Sequence, residues 1–272
     1  MVVIQGVGFD PLPADFDPRV TPIQINNLAY NSKAKGYEGR TDSLSIAYPF
    51  DEFHAALPLN RVADLGCGPG RDLEYMLSVG LQVVGVEPSI VMCQLAQKRL
   101  VEHILEKNDP SAYLYARGYN QDTIEAAVAS MIFNGTMDNL PVGEEGFASG
   151  SFGGLWAVTS LQHLPPTLLP EFLCSAKKLL AKSGHLYIKT RAPFEGQPPE
   201  LYECLQTSGE NEGGLFTRYF AYYKPKQLIS VLEKHGFKIT RASRHPQDSA
   251  RIEYPSIVNG IEGYKFWVLA EN

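Results

Sequence analysis

The chain has 272 residues, 44% of them hydrophobic and 20% charged, enough to bury a sizeable core and too apolar for a wholly disordered chain. Its 24 Lys plus Arg stand against 30 Asp plus Glu, a formal net charge of -6. That balance gives no global attraction to nucleic-acid phosphates, and no long basic run offsets it.

The four cysteines, Cys67, Cys93, Cys174 and Cys204, are far apart and form no Cys-x-x-Cys pair, so they read as reduced thiols and no metal site is expected. The opening MVVIQGVGFDPLPADFD lacks a charged start followed by a long apolar run. No stretch approaches the roughly 20 apolar residues that cross a bilayer. The expectation is a cytoplasmic protein without a membrane partner.

In chain order, residues 1–25 are rich in Pro and Asp and read as irregular. Residues 26–57 hold the polar, aromatic segment NNLAYNSKAKGYEGRTDS and then an expected helix, SLSIAYPFDEFHAAL. Residues 1–57 are expected to form an extension and a helical cap. From Arg61 strands and helices alternate. The first strand is Arg61 to Leu65, ending in a glycine cluster. A helix follows with Leu73, Met76 and Leu77 on one face, and Gly80 ends it. The second strand is Gln82 to Glu87. The next helix starts at Pro88 or Ser89, and Cys93, Ala96, Leu100 and Ile104 form its apolar stripe. Residues 107–128 read as an insertion before a third strand at Ser130 to Thr136. The fourth strand is Gly153 to Val158. Its helix starts near Pro165-Pro166, turns Leu169, Phe172, Ala176 and Leu180 inward, and is closed by Gly184. The fifth strand is His185 to Thr190, and a loop is expected from Ala192 to Gly214. A late helix, Pro225 to His235, precedes two closing strands, Phe237 to Thr240 and Lys265 to Ala270.

Such alternation implies a doubly wound, mostly parallel sheet covered on both faces. Ligands in such sheets sit beyond the carboxyl ends of the central strands. The sharpest motif lies there: Asp64-Leu65-Gly66-Cys67-Gly68-Pro69-Gly70-Arg71-Asp72. Glycines at 66, 68 and 70 let backbone approach a ligand closely. The helix N-terminus beyond them offers unpaired N–H donors to an anionic group. Glu87 ends the second strand, 17 residues past Gly70, where a carboxylate can accept hydrogen bonds from ribose hydroxyls. A dinucleotide site would put its third glycine where the bulky Arg71 stands.

The segments VADLGCGPGRD and VVGVEPS resemble the first two motifs of class I S-adenosylmethionine-dependent methyltransferases. The similarity continues through NGTMDNLP, SFGGLWAVTSLQHLPP, KKLLAKSGHLYIKTR and RYFAYYKPKQLISVLEKHGF. The ending, and the opening YNSKAKGYEGRTD, are similar to a subgroup acting mostly on small molecules. The resemblance implies a Rossmann-like α/β fold over residues 58–272, with a seven-stranded sheet whose last strand is antiparallel. It implies S-adenosyl-L-methionine as cofactor, bound by Asp64, Gly66, Cys67, Gly68, Gly70, Glu87, Thr136, Met137, Asp138 and Thr159. Two positions depart from the family pattern. Thr136 stands where an adenine-contacting Asp is usual, and Gly153 follows Phe152 where Asp is usual.

His163 is either a general base for the acceptor or a packed, helix-capping residue. Trp156 reads as core rather than cofactor wall. Tyr30, Tyr37 and Arg40 are candidate lid residues, and Arg218 and Tyr219 candidate walls of the acceptor pocket. The expected acceptor is a small molecule, not a nucleic acid. A tRNA or protein methyltransferase and an inactive S-adenosylmethionine-binding regulator stay open as alternatives.

Overall fold

The computed structural model describes residues 20–41, 46, 50–106, 123–143, 146–193, 196–207, 214–244, 257–258, 261–262 and 265–272. The expected strand Arg61–Leu65 (β1) forms as read, and all but its first residue are buried. Gln82–Glu87 (β2) behaves alike, and the two run parallel with Val62 beside Val83 and Asp64 beside Gly85. Such continuous apolar runs suit strands covered on both faces. Arg71–Ser78 (α3) connects them, and Ile90–Glu106 (α4) follows β2. Ile124–Ala129 (α5) leads into Ile132–Asn134 (β3), and Phe152–Val158 (β4) leads, through a turn at 161–163, to Leu169–Leu179 (α6). Leu180–Arg191 (β5), Glu200–Thr207 (β6), Gly214–Ala221 (β7), Pro225–Lys234 (α7) and Lys238–Arg244 (β8) follow. Ile257–Val258 (β9) and Ile261–Glu262 (β10) pair with each other, and Lys265–Glu271 (β11) closes the chain.

The main sheet has the order β3-β2-β1-β4-β5-β11-β8, with β11 antiparallel to both neighbours. This is the Rossmann-like seven-stranded arrangement implied by the motifs. Chain order reverses between β1 and β4, so a crevice opens beyond their carboxyl ends. Alternate strand residues feed two cores. Leu65, Val86, Leu155 and Ile188 pack with α6 and α7, and Val62, Val83, Trp156 and Tyr187 pack with α3, α4 and α5. Gly80 and Gly236, both at positive φ, follow α3 and α7 as expected.

Several expectations need correcting. Residues 22–41 are one helix, Pro22–Thr41 (α1), so the irregular opening does not extend to residue 25. The start signal was present. Gln24 N donates to Thr21 Oγ1 at 3.3 Å and Thr21 N to Gln24 Oε1 at 2.9 Å, a reciprocal cap followed by Pro at the first helical position. Of the expected helix over 43–57, Phe50–Ala55 (α2) forms, and 43–45 and 47–49 lie outside the described residues. Phe50 and Phe53 are core residues against Trp156 rather than cap. The expected loop over 192–214 contains β6, which pairs antiparallel with β7 and sets Glu203 beside Arg218. Gly184 does not close α6. That helix ends at Leu179, Leu180 already belongs to β5, and positive φ falls on Ser183. The expected insertion over 107–128 is described only from Thr123, directly before α5; 107–122 lie outside the described residues.

The Gly153-Gly154 departure has a packing cause. A Cβ at Gly153 would lie 2.0 Å from the carbonyl oxygen of Leu59, and one at Gly154 2.4 Å from the Phe53 ring. The segment after α2 therefore lies directly on β4, and no Asp fits there.

Candidate functional site

After β1 the chain turns sharply, held by hydrogen bonds from Gly66 N and Cys67 N to Val86 O at 2.7 and 3.2 Å. Gly66, Gly68 and Gly70 have φ of 80, 55 and 84°, a region that favours glycine. Their surroundings differ. A Cβ at Gly66 would lie 2.5 Å from Ser160 Cβ, and one at Gly70 3.0 Å from Ala96 of α4. At Gly68 the nearest atom would be a Tyr37 ring carbon, 4.0 Å away across open space. Gly68 thus faces the cavity, whereas Gly70, expected to touch cofactor, is not among its lining residues and instead lets α3 and α4 meet. Gly70→Val should therefore lower stability by about 2–5 kcal/mol, adding left-handed strain to overpacking. Urea unfolding midpoints check this, and a wild-type midpoint would refute it.

Glu87 is 6% exposed and lines the cavity. Its Oε2 accepts from Gly68 N at 2.9 Å and its Oε1 from Ser89 N at 2.8 Å. Burial pushes the carboxyl up to about 7, against the lowering effect of those two N–H groups. Asp64 is also buried and lines the cavity; burial and the neighbouring Asp72 hold it well above the usual carboxylate range. Asp72 accepts from Arg71 Nε at 2.8 Å and from Trp156 Nε1 at 2.9 Å. Trp156 is fully buried and stacks on Tyr187 at 4.2 Å, so it is core, as expected.

α1 lies over the crevice and is fixed at four points. Asn26 bridges both backbone groups of Tyr219, donating to its O at 3.1 Å and accepting from its N at 2.8 Å. Tyr30 OH and His163 Nε2 are 2.8 Å apart. Asn31 Oδ1 accepts from Ser89 Oγ at 2.7 Å, at the start of α4. Glu38 pairs with Arg99 at 3.6 Å. Tyr30 and Tyr37 meet edge to face at 5.6 Å, and both line the cavity. The side chain of Arg40 lies outside the described residues.

His163 Nδ1 is 2.9 Å from the carbonyl oxygen of Tyr219. A carbonyl only accepts, so Nδ1 carries the proton and Nε2 accepts from Tyr30. Burial, with a smaller contribution from Arg218 and Arg191, pushes the imidazole down to about 3. Thr159 adopts φ 55° at the end of β4, anchored by its N–H to Lys189 O at 2.7 Å, and lines the cavity beside Ser160. Ser160 Oγ and Asp138 Oδ1 are buried without a hydrogen-bond partner among the described residues.

The enclosed space is about 840 Å³, including its open mouth. Of the residues singled out from sequence, Tyr30, Tyr37, Asp64, Gly66, Cys67, Gly68, Glu87, Met137, Thr159 and His163 meet around it. Thr136, Asp138, Arg218 and Tyr219 stand outside its lining. Arg218 reaches Tyr30 and Glu203, while the Tyr219 hydroxyl turns away to Glu200. Ser160, read from sequence as lying beside the methyl group with Thr159 and His163, and Arg71, inside the glycine motif, also line it. Nothing in the sequence marked Asn26 or Met92, which complete this part of the lining. Among the described residues, no helix is long and apolar enough to cross a membrane, and no group of three metal-ligating side chains occurs.

The residues fit the expected cofactor. The buried carboxylate of Glu87 faces the cavity, where it can accept from paired hydroxyls, and backbone without a side chain lies beside it at Gly68. A methyltransferase-domain family model matches residues 46–242. No curated protein matches the chain. Solved structures share its fold at low identity. The Burkholderia thailandensis 1,6-didemethyltoxoflavin-N1-methyltransferase, solved with 1,6-didemethyltoxoflavin and S-adenosylhomocysteine, is 17% identical, with a TM-score of 0.56 over 97% of this chain and 99% of that one. The glycopeptide N-methyltransferase MtfA, complexed with S-adenosylmethionine, is 16% identical, with a TM-score of 0.53 over 81% of this chain and 84% of that one. The cyclase SpnF is 13% identical, with a TM-score of 0.56 over 93% and 97%. With the family model spanning most of its length and the sheet in the strand order of that fold, the chain belongs to the class I S-adenosylmethionine-dependent methyltransferases.

Proposed function

We propose that the chain methylates a small-molecule acceptor enclosed between the sheet and α1. The observation that carries this reading is the fastening of α1 across the crevice by Asn26, Tyr30, Asn31 and Glu38. A tRNA or protein acceptor needs an open groove where that helix lies, and the net charge of -6 does not favour RNA. Two small-molecule methyltransferases of the same fold are in keeping with it.

When bound, S-adenosylmethionine supplies a methyl group on a sulfonium, already a good leaving group. The chain's own residues orient and enclose. Glu87 accepts from the ribose hydroxyls. Gly66, Cys67 and Gly68 give backbone room, and Asp64, Thr159 and Ser160 border the methionine end. Met137 flanks the adenine. Asp138, next to Met137 though outside the cavity lining, carries a carboxylate that is a stronger acceptor for the adenine amino group than the Thr136 hydroxyl. Tyr30 and Tyr37 close the acceptor side and exclude water, which preserves orientation. His163, engaged at both nitrogens and of low basicity, positions Tyr30 rather than serving as general base.

The test is transfer of labelled methyl groups into a whole cell extract that is ultrafiltered after the reaction; label confined to the retained macromolecules would refute the reading. Asn26→Ala should lower that transfer roughly tenfold, because two buried hydrogen bonds holding the lid are lost. Affinity for S-adenosylhomocysteine should change much less. Equal losses of both would show that Asn26 serves the fold alone.

A further inference from the structure

β7 packs against both α1 and the 161–163 turn, and positive charge is concentrated there. Arg218 lies 3.1 Å from one oxygen of Glu203, and Arg191 lies 3.9 Å from the other. Both guanidinium groups pack on Phe220, at 4.9 and 5.2 Å from its ring centre. The His163 ring stands 4.8 Å from that same ring. Among the described residues, one buried carboxylate therefore answers two guanidinium charges. The excess sits beside Tyr30, which shares a hydrogen bond with Arg218. Glu87 also acts on Tyr30 from a distance, but its oxygens already serve Gly68 and Ser89.

We propose that the acceptor meets the methyl group as an oxyanion (a phenolate, enolate or carboxylate) and that Arg218, acting through Tyr30, selects it. The proposal rests on the small-molecule reading above. A neutral hydroxyl or an ammonium acceptor must first lose a proton. The path that Tyr30 offers ends on His163 Nε2, an imidazole facing two guanidinium groups, whose basicity burial and those charges suppress. An oxyanion needs no such transfer. Its lone pair forms the new O–C bond, the electron pair of the broken C–S bond stays on sulfur, and no proton moves. Rotation about one phenolic C–O bond lets Tyr30 donate to the incoming oxygen, while Arg218 behind it balances the charge.

The test uses para-nitrophenol, whose absorbance reports its ionisation, titrated in the complex of the full chain with S-adenosylhomocysteine. The bound probe should ionise about 1–2 pH units below its solution value, the usual effect of an adjacent opposite charge. Arg218→Gln and Tyr30→Phe should each remove most of that displacement, and Arg218→Lys should retain part of it. Tyr30→Phe keeps the ring and serves as the check if Arg218→Gln does not fold. A bound probe with an unchanged or raised pKa, no binding of the probe at millimolar concentration, or an Arg218→Gln complex that displaces it as the wild type does would each overturn the proposal. Failure of the small-molecule reading is seen separately, as label from the extract appearing only in macromolecules.

Discussion

Gly68→Val is expected to reduce affinity for S-adenosylhomocysteine about a hundredfold or more, a loss of roughly 3 kcal/mol, while the sheet survives. Of the loop glycines, Gly68 has open space where a side chain would begin, with only the Tyr37 ring at 4.0 Å. The Cβ itself is accommodated. The two γ-methyl groups then project into the space between the loop and α1, which the cofactor needs. A second effect acts in the same direction. Gly68 N donates to Glu87 at 2.9 Å, so a distorted loop also loosens the ribose acceptor. The fold should lose about 1–3 kcal/mol, since φ of 55° is unfavourable for a β-branched residue. Calorimetric titration, with urea unfolding alongside, separates the two. Normal affinity would mean that the loop is a structural turn and that the ligand lies elsewhere. Gly68→Ala, lacking the γ-carbons, should fall between the two.

The parallel half of the sheet was legible because β1, β2 and β3 are short runs that each end directly before a glycine or proline, and β4 is buried along nearly its whole length. The roof of the site was less legible. α1 has no apolar stripe, and it holds itself over the crevice with Asn26, Asn31 and Tyr30. Its start was written in Thr21-Pro22-Ile23-Gln24, a local signal that the Pro- and Asp-rich run before it obscured. β6 and β7 were hidden in a similar way. Their contribution to the site is the pairing of Glu203 with Arg218, two residues 15 positions apart that only the hairpin register brings together. Glu87 was legible in place but not in chemistry. Its position followed from spacing, whereas its second task, ordering the Gly68 and Ser89 amides, depends on the geometry of the turn.

That second task makes Glu87→Ala more damaging than the loss of a ribose contact alone. Each hydrogen bond to a charged partner contributes about 1.5–3 kcal/mol, and two from the ribose are lost together with the order of the loop. Affinity should fall by about two to three orders of magnitude. The pH dependence gives a sharper test. In the free protein, burial raises this carboxyl to about 7, above its value in the unfolded chain. Stability contributed by the protonated form is therefore fully present below the unfolded value and is lost as pH rises through about 7. Ligand binding has the opposite sign. Ribose hydroxyls donate to the ionised carboxylate, so affinity should rise as pH increases from 5 and level off above about 7. Below that point the slope should approach one decade per pH unit, about 1.36 kcal/mol, with one proton released on binding. Glu87→Gln should bind weakly with a flatter profile, because its amide does not titrate. Titrations of S-adenosylhomocysteine in buffers of different ionisation enthalpy measure the proton directly. A wild-type affinity that is level from pH 5 to 8, or a Gln variant with the same slope, would show that another group titrates and that the Glu87 carboxylate does not hold the ribose.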